Sequence, residues 1–240
     1  MAKMTRDPEN SNLVTVQFTP EELEKTTGIV VPDETPIIRY MGLSKFYSLI
    51  NSESMWFPRV DQFSDEYEGL AVLRNTNEAA EGFRKASLVS GWNYFTSESF
   101  PLWKIYLGNE PAGVAVVSTV GDFKASIKDE KERDFLTSFQ VQYVPHDEEY
   151  DGINNMLLVT RKKQFYEYEN EIRFNYYNGN LDQPVGKPIA LNPEVMINKI
   201  ILSPYMPAWI LSTLEGILEK YDLAHLPIEQ SIVRDSMLKG

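Results

Sequence analysis

The chain has 240 residues, 42% hydrophobic and 24% charged, with 23 Lys and Arg against 35 Asp and Glu for a formal net charge of −12, and no cysteine. That length allows one or two domains with a sizeable core and excludes wholesale disorder. The charge repels phosphate over most of the surface and excludes general nucleic-acid binding, while the lack of cysteine excludes disulfides, thiolate metal sites and a cysteine nucleophile. The polar start, Met1 to Asn12, has no apolar signal-peptide core, and no run reaches the about 18 apolar residues that span a bilayer, so the expectation is a cytoplasmic protein with no membrane partner. Acidic residues gather in two places, seven against three basic ones over Met1–Thr35 and nine against four over Gly121–Asp151. Both read as solvated surface, or as a face for a basic partner.

The first dozen residues read as a frayed end. Thr19-Pro20-Glu21-Glu22 places a cap, a first-turn proline and acids together, so a short helix to about Thr26 is expected, ended by Gly28. Residues 1–35 are thus an N-terminal extension, and 36–240 a single domain. Within it Ile37–Tyr40 reads as a strand, Leu43–Ile50 as a helix with Ser44 as cap, and Met55–Phe57 as a strand ended by Pro58. Glu66–Lys85 reads as helical, Leu88–Thr96 as a strand, and Pro101–Leu107 as one or two helical turns. Ala112–Thr119 is small, β-branched and apolar on both faces, which marks a central buried strand. A helix near Gly121–Ile127, a strand near Phe139–Val144, a helix near Ile153–Gln164 and a strand Glu171–Tyr177 follow, the last ended by Asn178-Gly179-Asn180. Ile197–Leu202 and Pro227–Val233 read as strands around an amphipathic helix, Trp209–Tyr221. Strands and helices mix without regular alternation, so the fold class is α+β, with mixed, mainly antiparallel sheets and helices at their sides.

Phosphate-loop, nucleophile-elbow and zinc-helix signatures are absent, and the two histidines, His146 and His225, have no second ligand at metal spacing. No metal is expected. Acid–base work falls to carboxylates, tyrosines and lysines. Arg39, set among apolar neighbours in a strand, needs an acid or phosphate partner. Arg59, Asp61, Asp65, Glu66 and Glu68 suit a loop over a site or a salt-bridged turn. In Tyr166-Glu-Tyr-Glu-Asn-Glu-Ile-Arg-Phe174, side-chain alternation would put Glu169, Glu171 and Arg173 on one strand face, with Ile172 and Phe174 toward the core.

Much of Ile37–Phe174 resembles a family of bacterial and phage proteins, some linked to abortive-infection defence. The resemblance is carried by Arg39-Tyr40, Trp56-Phe57, Phe63-Ser64-Asp65-x-Tyr67-Glu68, Trp92, Leu102-Trp103-Lys104-x-Tyr106, Gly113-Val114-Ala115, Lys163 and Tyr168-Glu169-x-Glu171-x-Arg173. Ser64-Asp65-Glu66 departs from the Asn-Asp-Pro expected there. The order of elements also resembles an ADP-ribosyltransferase of the arginine, serine, glutamate type, with a split sheet. That resemblance implies NAD as co-substrate, Arg39 and Tyr40 on its phosphates or ribose, Ser118-Thr119 ordering the pocket, Glu171 as the catalytic carboxylate and Glu169 orienting the acceptor. Trp92, Trp103 and Tyr106 are candidates to stack nicotinamide, and Arg59, Asp65, Glu68, Lys163 and Arg173 are further pocket candidates. On this reading Glu171→Gln abolishes nicotinamide release and leaves the fold intact. The partner would be a macromolecular acceptor. The alternatives are a non-enzymatic acidic protein that captures a basic protein partner, and Mg²⁺-assisted phosphodiester cleavage by Asp61, Asp65, Glu68 and Lys163.

Overall fold

The computed structural model describes residues 3–6, 14–17, 31–63, 78–110, 112–148 and 157–234. In chain order its strands are β1 (Lys3–Arg6), β2 (Val14–Gln17), β3 (Pro36–Gly42), β4 (Ser54–Pro58), β5 (Ser87–Tyr94), β6 (Gly113–Thr119) and β7 (Leu136–Gln140). Then come β8 (Gln142–Val144), β9 (Arg161–Lys163), β10 (Glu171–Tyr177), β11 (Gly186–Ala190), β12 (Lys199–Leu202) and β13 (Ile228–Gln230). The chain forms two compact units interleaved in sequence. The first comprises Met1–Val31, Trp56–Gly91 and Asp129–Ile189, the second Pro32–Met55, Trp92–Lys128 and Ala190–Gly240.

In the second unit the strand order is β13-β12-β6-β3, with the Trp92–Tyr94 end of β5 beside β3. The apolar run expected to be central is central: β6 is antiparallel to β3 on one side and to β12 on the other, and Val114, Ala115 and Val116 are completely buried. Each such side chain contributes about 1.5–3 kcal/mol if it is Val-sized or larger. The register puts Ile37 opposite Ser118 and Arg39 opposite Val116, so these four share one face of the sheet. Tyr40 and Ala115 lie on the other, which packs against the helix Phe100–Leu107 through Leu102, Trp103 and Leu107. Ser99 caps that helix by accepting from the Leu102 N–H, and Pro101 sits in its first turn, where no donor is missed.

In the first unit the order is β5-β10-β7, β10 and β7 being antiparallel with Arg173 opposite Phe139. Every residue from Glu171 to Tyr176 is buried, so β10 is covered on both faces rather than on the Ile172 and Phe174 face alone. Val60, Ala80, Phe83, Val89, Phe139, Leu158 and Val159 form the core on the Arg173 side. The short strands β8 and β9 pair in parallel. The α+β class with mainly antiparallel pairing therefore holds.

Several local expectations need correction. The first dozen residues include β1, which pairs antiparallel with β2 rather than fraying. Ser44 does not cap the helix Leu43–Ser52, because the cap position falls two residues earlier, at Gly42. Of the helix expected over Ile153–Gln164, the described residues begin at Leu157 and are α-helical over Leu157–Thr160. Arg161–Lys163 then turns extended to pair with β8, a tertiary pairing that overrides local periodicity, and a 3₁₀ helix takes Gln164–Glu169. The strand near Phe139–Val144 is two strands, broken at Val141, whose N–H donates to the Glu171 carbonyl. The helix near Glu66–Lys85 is described from Glu78 to Ala86. The helix expected at Thr19–Thr26, together with Asp65 and Glu68, lies outside the described residues.

Candidate functional site

β10 opens the candidate site. Asn170, with φ of 42°, takes the left-handed turn that ends the 3₁₀ helix and starts the strand at Glu171. Asn tolerates that conformation better than most residues. Glu169 is consequently not on the strand face that simple alternation assigned to it. Glu171 and Arg173 do share a face, and they meet: the Arg173 Nε donates to Glu171 Oε1 at 2.7 Å and its Nη2 to Oε2 at 3.0 Å, while Nη1 donates to the Val159 carbonyl at 3.2 Å. Lys162, from β9, joins the two glutamates, its Nζ donating to Glu169 at 2.7 Å and to Glu171 at 3.3 Å. The Tyr143 hydroxyl accepts from the Glu171 N–H at 2.8 Å.

All four charges are withdrawn from water, with side-chain exposures of 1% for Arg173, 9% for Lys162 and Glu171, and 13% for Glu169. Burial alone would favour the neutral form of Glu171. The charges of Arg173 and then Lys162, with their hydrogen bonds, outweigh it and hold the carboxyl below its ordinary value. Burial, with Glu171 and Glu169 nearby, raises Tyr143 despite the Glu171 N–H, so its phenol stays neutral. Two carboxylates matched by two cations make the cluster neutral overall, and the ion pairs hold both glutamates in fixed positions.

The other described first-unit candidates, Arg59 and Lys163, make internal bonds. Arg59 donates to Asp61 at 2.6 and 3.0 Å and to the Gln183 carbonyl at 2.5 Å. Burial works against ionisation of Asp61, but the Arg59 hydrogen bond and charge prevail and lower its pKa. Lys163 is 6% exposed and donates to the carbonyls of Glu148 at 3.0 Å and Pro145 at 3.4 Å. Among the described residues no group of three or more His, Cys, Asp or Glu could hold a metal, and no helix is long and apolar enough to cross a membrane. His225 reaches only Glu194, at 3.7 Å on the surface.

The candidates in the second unit divide between the two faces of its sheet. Arg39 and Ser118 share one face, and Trp92 joins them, since Tyr94 lies opposite Ile37 and alternation returns Trp92 to that side. Tyr40, Trp103 and Tyr106 are on the other. Trp92 and Trp103, expected to stack nicotinamide, are 1% and 0% exposed. Trp92 packs edge-on to Phe123, and Trp103 packs edge-on to Tyr40 and donates its indole N–H to Glu98 at 2.9 Å. Both are core residues because their rings are enclosed by other apolar groups. Tyr106 is 44% exposed and stacks on Tyr40 at 6.2 Å. Burial raises Tyr40 to about 12, even though its hydroxyl accepts from the Ser99 N–H. Thr119 caps the helix Val120–Ser126, its hydroxyl accepting from the Asp122 N–H and donating to the Asp122 carboxylate. The Trp92 indole N–H is buried with no acceptor among the described residues. Such a donor costs about 1–3 kcal/mol.

Lys162 and Gly91 were missed in the sequence. The periodicity expected for a helix over Ile153–Gln164 hides Lys162, although three successive cations at Arg161–Lys163 just before a glutamate-rich stretch signal internal pairing. A Cβ on Gly91 would stand 2.7 Å from Glu171 Oε1, so its glycine makes room for the carboxylate.

No family model matches the chain, and no curated protein matches it. Three similar solved structures are of Thermus sp. 2.9 DarT. With NAD+ the identity is 11% and the TM-score 0.44, covering 86% of this chain and 98% of that one. With carba-NAD+ the values are 11%, 0.40, 85% and 98%. With ADP-ribosylated ssDNA they are 12%, 0.39, 86% and 97%. Likeness at this level assigns neither family nor activity to the chain.

Proposed function

We propose that this chain is an ADP-ribosyltransferase-like protein that uses NAD as co-substrate, within a bacterial or phage defence or conflict system. The observation that carries the reading is the carboxylate pair Glu169 and Glu171, bound to a common ammonium on Lys162 at the head of a buried strand. Loss of nicotinamide from NAD leaves a sugar with oxocarbenium character, and a carboxylate already held in place beside it would stabilise that charge without reorganisation at the moment of bond breaking. Glu171 supplies that charge, Glu169 orients the acceptor, and Lys162 and Arg173 hold the two carboxylates in place. Arg39 is assigned to the NAD phosphates. The Trp92 indole N–H, on the same sheet face as Arg39 and with no acceptor among the described residues, supports that assignment.

Glu169→Gln tests the roles, because Glu169 is the more exposed of the two acids and its loss leaves the Glu171–Arg173 pair intact. The reading expects kcat for nicotinamide release to fall on the order of 10²-fold, the size of one lost electrostatic donor or acceptor in a preorganised site, in a protein that still folds because Lys162 keeps Glu171 at 3.3 Å. Unchanged kcat removes Glu169 from the mechanism.

A further inference from the structure

The 3₁₀ helix Gln164–Glu169 presents a second feature, independent of the NAD reading. With three residues per turn, side chains three apart eclipse one another, so the six residues sort into three faces. Tyr166 and Glu169 form the inward face: the Lys162 Nζ stands 4.8 Å from the Tyr166 ring centroid and 2.7 Å from Glu169. Gln164 and Glu167 form a polar outer face. Phe165 and Tyr168 form the third, and both rings are open, at 58% and 49% exposure. Two aromatic rings aligned on one short helix, outside any core, cost solvation unless something covers them.

The surrounding charge identifies what covers them. The nearby cations turn inward: Lys162 and Lys163 are buried, and Arg161 is tied to Glu148 at 2.9 Å. The charges left at the surface are acidic. Glu167 lies between the two rings in sequence, and Asp147 is exposed on the loop whose carbonyls, at Pro145 and Glu148, receive the Lys163 ammonium. Burial and then Glu169 raise the Tyr168 pKa, so its ring stays neutral and electron-rich. Among the described residues of this helix and loop, a nucleic acid would find stacking surfaces but no outward cation for its phosphates. A guanidinium would find ring faces and carboxylates together. We propose that the Phe165–Tyr168 face, edged by Glu167, is a docking surface for an arginine-rich segment of a partner protein.

The test uses the full chain with a fluorescent arginine-rich peptide, a length-matched lysine-rich peptide and a fluorescent oligothymidylate, each titrated at several salt concentrations. The arginine peptide should bind more tightly than the lysine peptide. Phe165→Leu/Tyr168→Leu keeps apolar bulk but removes both ring faces, and should weaken arginine-peptide binding about tenfold, the sum of two exposed cation–π contacts. Glu167→Gln should weaken it further and flatten its salt dependence. Melting curves establish that each variant is folded, and Phe165→Ser/Tyr168→Ser serves as a second pair. Equal binding of the two peptides, binding insensitive to either ring pair, or ring-dependent binding of the oligothymidylate in place of the peptide overturns the proposal. Because no NAD is present, failure here leaves the enzymatic reading standing, and the converse holds.

Discussion

Replacing Glu171 with Gln removes the negative charge that faces Arg173 at 2.7 and 3.0 Å and Lys162 at 3.3 Å. Lys162 keeps Glu169 at 2.7 Å. Arg173, at 1% exposure, keeps the Val159 carbonyl and at most one amide oxygen of the new Gln, loses its counter-charge, and remains charged, because a guanidinium does not give up its proton in a protein. Breaking a buried pair from one side costs about 3–5 kcal/mol, a large share of the about 5–15 kcal/mol that holds a typical protein folded. The structure thus replaces the expectation that this substitution spares the fold. Urea denaturation at pH 7 measures the loss. Glu171→Leu/Arg173→Leu removes both charges, leaves Lys162 balanced by Glu169, and should recover most of the loss, giving a coupling energy of at least about 2 kcal/mol in the double-mutant cycle. A cost below about 1 kcal/mol for Glu171→Gln, or a double variant as unstable as the sum of the singles, would refute the reasoning.

Two further predictions concern the same cluster. The folded-state pKa of Glu171 lies below its unfolded value of about 4.3, so its contribution is complete above that value and is lost as pH falls through the folded one. Stability should therefore decline below about pH 5 more steeply in the wild type than in Glu171→Leu/Arg173→Leu, and parallel declines in acid titrations of the urea midpoint would count against the assignment. Gly91→Ala would press a methyl to 2.7 Å from Glu171 Oε1, and that oxygen is clamped by Arg173 and not free to yield. A loss of about 1–3 kcal/mol is expected in the same assay, and a neutral substitution would show that the carboxylate can shift.

The parts legible in the sequence were those fixed locally. The apolar run Ala112–Thr119 announced a central strand, Asn178-Gly179-Asn180 announced the end of β10, and Gly179 does take a positive φ of 75° there. The rest depended on pairing between distant segments. Arg161–Lys163 carries no strand signal of its own and becomes extended because β8 is beside it. The alternation that put Glu169 beside Glu171 on one face assumed an unbroken strand, and the left-handed Asn170 breaks it; the two acids meet through Lys162 instead. Composition could not distinguish aromatics for a ligand from aromatics for a core, and Trp92 and Trp103 went to the core.

The most direct measurement is nicotinamide release from NAD by the wild-type chain, with single-stranded DNA, RNA and protein offered in turn as acceptors. The account predicts release above the uncatalysed rate, accompanied by transfer of ADP-ribose to one acceptor or to water. A folded protein that neither binds NAD nor releases nicotinamide with any of them contradicts it.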